Sequence, residues 1–404
     1  MRLLWLSPYL PSPETFGGQR RIHGLMRALS ARHDIAVLAL HSPSDPLEDW
    51  LALTRAWCPD AEAVLQPILG LRGPAKRTAQ LRTLPSRRSW ELASHRNQAL
   101  SQRLDERLTR ERWDAVVVEF AQMAVNLEGL ARRTAVVLDE HNVEFDLQRR
   151  TAASADGVAR RVFGSVNWRK LRREEVDVWR HVDGVSATSE RDAAIIRMHA
   201  PHVPCVLAPN GVDLDRFAPR TAPPDPNTVV LFGAHNYFPN TDGLRFLLGE
   251  IWPRVIERVP DARLRVIGHP PPPEVAALAP PSVTVEGFVD DVVSEAGRAA
   301  VAIAPLRIGG GTRLKVVEAM ALARPVVATR IGAEGLDVAD QRDLLLADDP
   351  TAFADAVVQL LSDPAMAADL GRRGRARAEQ LYGWDACAAP LEQLVHSLVD
   401  GRRR

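Results

Sequence analysis

Cysteine is scarce in this chain: Cys58, Cys205 and Cys387 are the only three in 404 residues. They are far apart and odd in number, which excludes a disulfide framework, and no CxxC pair exists to start a metal site. A reducing cytoplasm is the expected compartment. Lysine is just as rare, with Lys76, Lys170 and Lys315 against 48 arginines. Such a bias reads as that of a GC-rich genome rather than an arginine-specific task. Net charge is absent too, since 51 basic residues balance 51 acidic ones. No global field draws nucleic acid or a membrane, so only local patches could do so. No run approaches the ~18 apolar residues of a membrane span. The opening MRLLWLSPYL has an apolar run too short for a signal peptide, and Pro8 would break it. Without GxGxxG after a strand a nicotinamide site is disfavoured, and without GxSxG so is a serine hydrolase.

What is present is an ordinary globular composition, 46% hydrophobic and 25% charged. The length exceeds the roughly 100–200 residues of one domain, so two domains are expected. Short β-branched runs alternate with amphipathic segments. Strands are expected near 2–6, 34–40, 62–67, 114–119, 134–139, 183–188 and 203–207. A second series lies near 228–233, 262–267, 283–287, 301–305, 325–329 and 343–346. Helices are expected at 18–31, 242–258, 312–323, 351–362 and 364–381. Apolar runs such as Val116-Val117-Val118 and Val326-Val327-Ala328 suit strands buried on both faces of a parallel sheet. The Pro-rich stretch RTAPPDPNT at 220–228 reads as linker. The fold class is α/β, with two doubly wound Rossmann-like domains facing across a cleft. The expected parts are residues 1–212, 213–383 and a final helix from 384 to 404. In such sheets ligands bind beyond the carboxyl ends of the strands.

The segment APLRIGGGTRLKVVEAMALARPVVAT at 304–329 carries the sharpest signal. Gly309, Gly310 and Gly311 fall between a strand and a helix, where backbone N–H groups can approach an anion. Thr312 suits the N-cap. Arg313 and Lys315 sit in the first turn against the helix dipole, a placement that an anion would relieve. Glu318 follows where a carboxylate could take two ribose hydroxyls. The bland alternative is a glycine turn with Lys315 and Glu318 as an exposed i,i+3 ion pair.

This stretch resembles the donor-site signature of family 4 glycosyltransferases, which have the GT-B fold. PNGVDLDRF at 209–217, FGAHNYFPN at 232–240 and VEGFVDDV at 285–292 agree with it. The resemblance implies a retaining hexosyltransferase using a nucleotide-diphosphate sugar, without metal or other cofactor. It implies that Glu318 binds the ribose. Gly310, Gly311 and Thr312, with Arg313 and Lys315, would hold the diphosphate. Many members carry Glu-x7-Glu ending where Glu318 stands. Here the first position is Gly310, so contacts to the transferred sugar differ. The resemblance also implies that the final helix, from Trp384 to about Val399, packs on the first domain.

In the first half, Gly17 and Gly18 open a helix carrying Arg20 and Arg21. By residue type these read as a hinge with solvated arginines. The resemblance places the glycines near donor phosphate or acceptor and the arginines on the acceptor side. Strand 134–139 runs into Asp139-Glu140-His141-Asn142. The resemblance gives His141 a role beside the transferred sugar, as a catalytic residue with Glu318. Glu144 reads as an exposed helix-start carboxylate, and Ser189 as a helix cap. Asp213 and Asp215 spell DxD, but they belong to the junction pattern, and metal binding is rejected.

Residues 71–90 hold six Lys or Arg and no acid, and residues 149–180 hold nine against four. They suit an anionic lipid-linked acceptor or a peripheral contact with the inner membrane face, against the plainer reading of a solvated helix face. The expected acceptor is a cell-surface glycan or lipid-linked intermediate, with a small molecule as alternative. Competing readings are a GT-B-like nucleotide-sugar epimerase or phosphorylase, and a non-catalytic partner subunit suggested by Gly310.

Overall fold

A computed structural model describes residues 1–130, 134–153, 157–289, 291–308 and 313–403. The chain forms two compact units, residues 1–209 with 388–404, and residues 210–387.

The first unit holds β1 (Arg2–Ser7), β2 (Asp34–His41), β3 (Ala61–Leu65), β4 (Ala115–Glu119), β5 (Ala135–Glu140), β6 (Gly184–Ala187) and β7 (Cys205–Leu207). They form one sheet in the order β3-β2-β1-β4-β5-β6-β7, with every pairing parallel. Helices supply the crossovers, because a parallel pair cannot be joined by a hairpin. The strand order reverses between β1 and β4, the switch point where such sheets open a crevice at their carboxyl ends. From Ala388 onward the last helix belongs to this unit, with Leu391, Leu394, Val395 and Val399 buried. Glu392 pairs there with Arg32 at 2.9 Å and His33 at 2.7 Å.

The second unit holds β8 (Asp225–Ala234), β9 (Arg263–His269), β10 (Val283–Gly287), β11 (Ala299–Ala304), β12 (Val326–Ala328) and β13 (Leu345–Leu346). The order is β10-β9-β8-β11-β12-β13, again parallel. Here the switch point lies between β8 and β11. Val229, Leu231, Val301 and Ile303 face one core, while Val230, Phe232, Ala302 and Ala304 face the other. That alternation within unbroken apolar runs is what burial on both faces requires.

Two expectations change. The linker at 220–228 loses its last four residues to β8, which begins at Asp225. Asp225 pairs in register with Ala299 and accepts a bond from Arg298 at 3.0 Å. The single helix expected over 242–258 is interrupted. An α-helix Phe238–Phe246 passes through a π turn Leu247–Ile251 into Trp252–Arg258. Pro253 has no N–H for the α ladder, and the wider turn absorbs the mismatch. Among the described residues no helix is long and apolar enough to cross a membrane.

Candidate active site

In the first unit, acidic residues close two adjacent apolar strands: Glu119 ends β4, and Asp139 and Glu140 end β5, all three fully buried. Buried carboxylates require partners, and the fold supplies them. Arg21, from the helix Gly17–Ser30, grips Asp139 with Nε to Oδ2 at 2.8 Å and Nη2 to Oδ1 at 2.6 Å. Its Nη1 donates to the Ala208 carbonyl at 2.7 Å. The Ser186 hydroxyl also donates to Asp139. Arg21 is therefore neither solvated nor turned to an acceptor, contrary to expectation. A guanidinium with no exposed surface is tolerated inside because its planar fork meets a carboxylate bidentately. Arg20 stays half-buried, its Nε reaching the Glu14 carbonyl at 3.4 Å. Gly18 has a packing reason for its identity: a Cβ there would lie 1.9 Å from the Tyr9 hydroxyl oxygen. Gly17 is exposed.

His141 directly follows β5 and keeps 6% of its surface open. Its Nε2 lies 2.6 Å from Glu119 Oε2, and Trp5 Nε1–H donates to Glu119 Oε1. The Phe120 ring lies over the imidazole, with centroids 3.8 Å apart. Phe120 itself has φ 62°, a value bulky residues adopt only when their surroundings impose it. Burial pulls the His141 imidazole down to about 3. Burial and then the Asp139 charge push Glu119 well above the usual carboxylate range. Burial opposes ionisation of Asp139 as well, yet Arg21 holds it below its ordinary value.

Glu144 departs from expectation: it is half-buried, and burial followed by Glu91 pushes its carboxyl up to about 7. It begins a helix, Glu144–Ala153, whose first amides are held from another element. Glu175 accepts from the amides of Glu144 and Phe145, each at 2.8 Å. Thr188 donates to the His141 carbonyl at 2.9 Å. Ser189 caps the helix Glu190–His199.

In the second unit, the carboxyl ends of β8 and β11 bring a different set together. The helix Leu314–Ala321 starts two residues later than expected. Lys315 Nζ donates to Asn240 Oδ1 at 2.7 Å, and a Cβ on Gly233 would lie 3.3 Å from that nitrogen. Burial, then the neighbouring Arg313, lower the Lys315 ammonium to about 8. Glu318 is buried, 4% exposed, which removes the exposed ion-pair alternative. Arg313 Nε donates to the Ile331 carbonyl at 3.1 Å, and its Nη2 lies 3.5 Å from Glu334. Gly309, Gly310, Gly311 and Thr312 lie outside the described residues. His235, buried on the Ile267 carbonyl at 3.0 Å, is pulled down by burial to about 4.

Asp213 Oδ1 accepts the amides of Asp215 and Arg216, at 3.1 and 2.9 Å, and so closes a turn. Among the described residues, two sets of side chains have donor atoms within 4.8 Å of one another, as a metal site needs: Glu119, Asp139 and His141, and His33, Glu392 and His396. In each an arginine already neutralises a carboxylate, Arg21 on Asp139 and Arg32 on Glu392. Asn240, Glu119 and the Arg21–Asp139 pair were not singled out from the sequence. The available signal was an acidic residue closing an all-apolar strand, as in AVVVE at 115–119.

Comparison with known proteins gives these pieces a family. The model described as Glycosyltransferase Family 4 matches residues 16–216, and the one described as Glycosyl transferases group 1 matches residues 226–363. D-inositol 3-phosphate glycosyltransferase 2 of Catenulispora acidiphila is 30% identical over 247 residues, 54% of this chain and 57% of that one. Phosphatidyl-myo-inositol mannosyltransferase of Mycobacterium tuberculosis is 28% identical over 219 residues, 50% of this chain and 57% of that one. The chain thus spans less than two thirds of the length of these curated relatives. The solved Anabaena HepE, in complex with UDP and glucose, shares the fold with a TM-score of 0.70 at 13% identity, covering 98% of this chain and 100% of that one. With two parallel α/β sheets and two glycosyltransferase models that together span most of its length, the chain belongs to the family 4 glycosyltransferases of GT-B fold.

Proposed function

We propose that this enzyme transfers a hexosyl group from a nucleotide-diphosphate sugar with retention at the anomeric carbon and without a metal ion. The observation that carries the reading is the set at the β8/β11 switch point: Lys315 held by Asn240 beside a close glycine backbone, with Glu318 one turn further along the same helix. In this role Glu318 binds the ribose. Lys315 and Arg313 face the diphosphate, and their charge offsets the negative charge that grows as the bond to the anomeric carbon breaks. Gly310, Gly311 and Thr312 would add backbone donors. His141 serves the transferred sugar. The acceptor hydroxyl forms the new bond on the same face and passes its proton to the departing phosphate oxygen, while the nucleoside diphosphate leaves with the electron pair.

The names of the two relatives, one for inositol 3-phosphate and one for phosphatidyl-myo-inositol, favour a phosphate-bearing polyol, free or lipid-linked, as acceptor. The test is thermal unfolding with UDP, GDP, dTDP and ADP in chelator, for wild type and Glu318→Ala. A nucleotide at 100 times its Kd stabilises by about 2.7 kcal/mol. One nucleotide should shift wild type and leave the variant unmoved. No shift with any of the four would sink the proposed donor class, and a shift only with divalent metal would sink the metal-free mechanism.

A further inference from the structure

His141 is not held by an ionised carboxylate, as its Glu119 partner first suggests; we infer that Glu119 is a protonated positioning residue. Its O–H donates to His141 Nε2 and fixes the imidazole as the neutral tautomer with a proton on Nδ1. This rests on the transferase reading only for its purpose, because the hydrogen-bond polarity belongs to the free protein.

Three observations carry it. First, the indole N–H of Trp5 is a donor with no acceptor capacity, and it is spent on Glu119 Oε1. Oε1 must therefore accept, so the remaining oxygen, Oε2, 2.6 Å from His141 Nε2, is where a carboxyl proton would sit. Second, the charge count around the pair is already closed. Asp139 is the register partner of Glu119 across β4 and β5, shares a side-chain hydrogen bond with it and brings Oδ2 to 3.6 Å from His141 Nε2, and Arg21 neutralises it bidentately. Among the described residues, Tyr9 interacts with Glu119 and Asp139, and Glu140 interacts with Asp139, and neither supplies a second cation. An ionised Glu119 beside neutral histidine would leave one uncompensated charge in the interior. An ionised Glu119 beside imidazolium would place two more desolvated charges next to an existing ion pair. A carboxylic acid on a neutral imidazole leaves neither. Third, Nδ1 of His141 makes no bond among the described residues, and the side chain keeps a small open surface. Burial, which raises Glu119 and lowers His141, acts in the same direction. A comparable use of environment keeps an acid neutral so that it can donate in other enzymes.

The consequence is chemical. The imidazole presents a fixed N–H donor, so the ligand atom opposite it must be an acceptor, such as a sugar hydroxyl or phosphate oxygen.

Nitrogen-15 NMR of histidine-labelled full-length protein reads this directly, with His141 assigned by the loss of its signals in His141→Gln. Wild type should show a bare Nε2 and a protonated Nδ1, unchanged from pH 5 to 8. Glu119→Gln should keep that pattern, because its amide oxygen can accept from Trp5 while its NH2 donates to Nε2. Glu119→Ala should lose the fixed tautomer. A protonated Nε2 with a bare Nδ1 in wild type, two protonated nitrogens, or a tautomer change in Glu119→Gln would overturn the assignment. The nucleotide-dependent thermal shift is unaffected by these outcomes and tests the transferase reading separately. If Glu119→Ala fails to fold, the wild-type spectrum alone decides.

Discussion

Lys315 shows how one residue couples burial to ligand affinity. It is one of three lysines in a chain that otherwise uses arginine, and arginine could not titrate in its place. Burial and Arg313 hold its ammonium near 8, so the free protein loses this cation as pH rises past that value. A bound diphosphate favours the charged form and raises its pKa, so the protonated state binds better. Affinity for the nucleoside diphosphate that stabilises wild type should therefore fall about tenfold between pH 7 and pH 9. Calorimetric titration checks it. Lys315→Met should bind weakly at both values with no such slope, and an equal slope in the variant would assign the titration to another group. The lysine itself was legible, because it stands next to a glycine run and opens a helix. Its partner Asn240 was not, because 75 residues separate the two and only the sheet brings them together.

At the scale of elements, the β8–β9 pairing shapes the backbone that borders the second unit's site. Gly233 and Gly268 face each other in register, and both have positive φ, 142° and 119°. A Cβ on Gly268 would fall 2.1 Å from the Gly233 carbonyl oxygen, so neither the backbone angle nor the space admits a side chain. Gly268→Ala should destabilise the protein by about 3 kcal/mol in urea unfolding, through strain and forced strand separation. The same change should weaken nucleotide binding, since Gly233 borders the Lys315 ammonium. A loss below about 0.5 kcal/mol would mean that the strands part without cost. Strand positions were readable because apolar runs bounded by turns leave little choice. The interrupted helix over 238–258 was not, because its apolar period is continuous and only the Pro253 backbone breaks it.

For the whole molecule, zero net charge coexists with a local excess of arginine and lysine over residues 71–90 and 149–180. The two basic stretches of the sequence meet in the first unit: Lys170, on the helix Val158–His181, donates to the carbonyls of Thr83 and Leu84, both at 2.8 Å. Arg173 reaches the Arg87 carbonyl at 2.7 Å. On that helix Val158, Val162 and Val166 are exposed at one-turn spacing, 72%, 57% and 37%, beside exposed Arg160, Arg161, Arg169 and Arg172. Apolar side chains flanked by arginines suit an anionic interface, each cation adding about 1 kcal/mol near the surface. The enzyme should sediment with vesicles containing phosphatidylglycerol and not with neutral ones, and Arg160→Glu with Arg161→Glu should abolish this. Equal and poor binding to both vesicle types would return the patch to a solvated helix face.

The sequence by itself determined the alternation of strands and helices, the two-sheet α/β class, the family, and the helix that carries Lys315 and Glu318. These are local: apolar runs, glycines and first-turn charges report their surroundings within a few residues. Only the tertiary structure decided that Arg21 is an interior partner of Asp139, 118 residues away, and that Glu119 stands on His141. A charged residue in a helix's first turn looks the same whether water or a buried carboxylate receives it. The difference is set by which strands become neighbours, and in a parallel sheet those neighbours are distant in the chain.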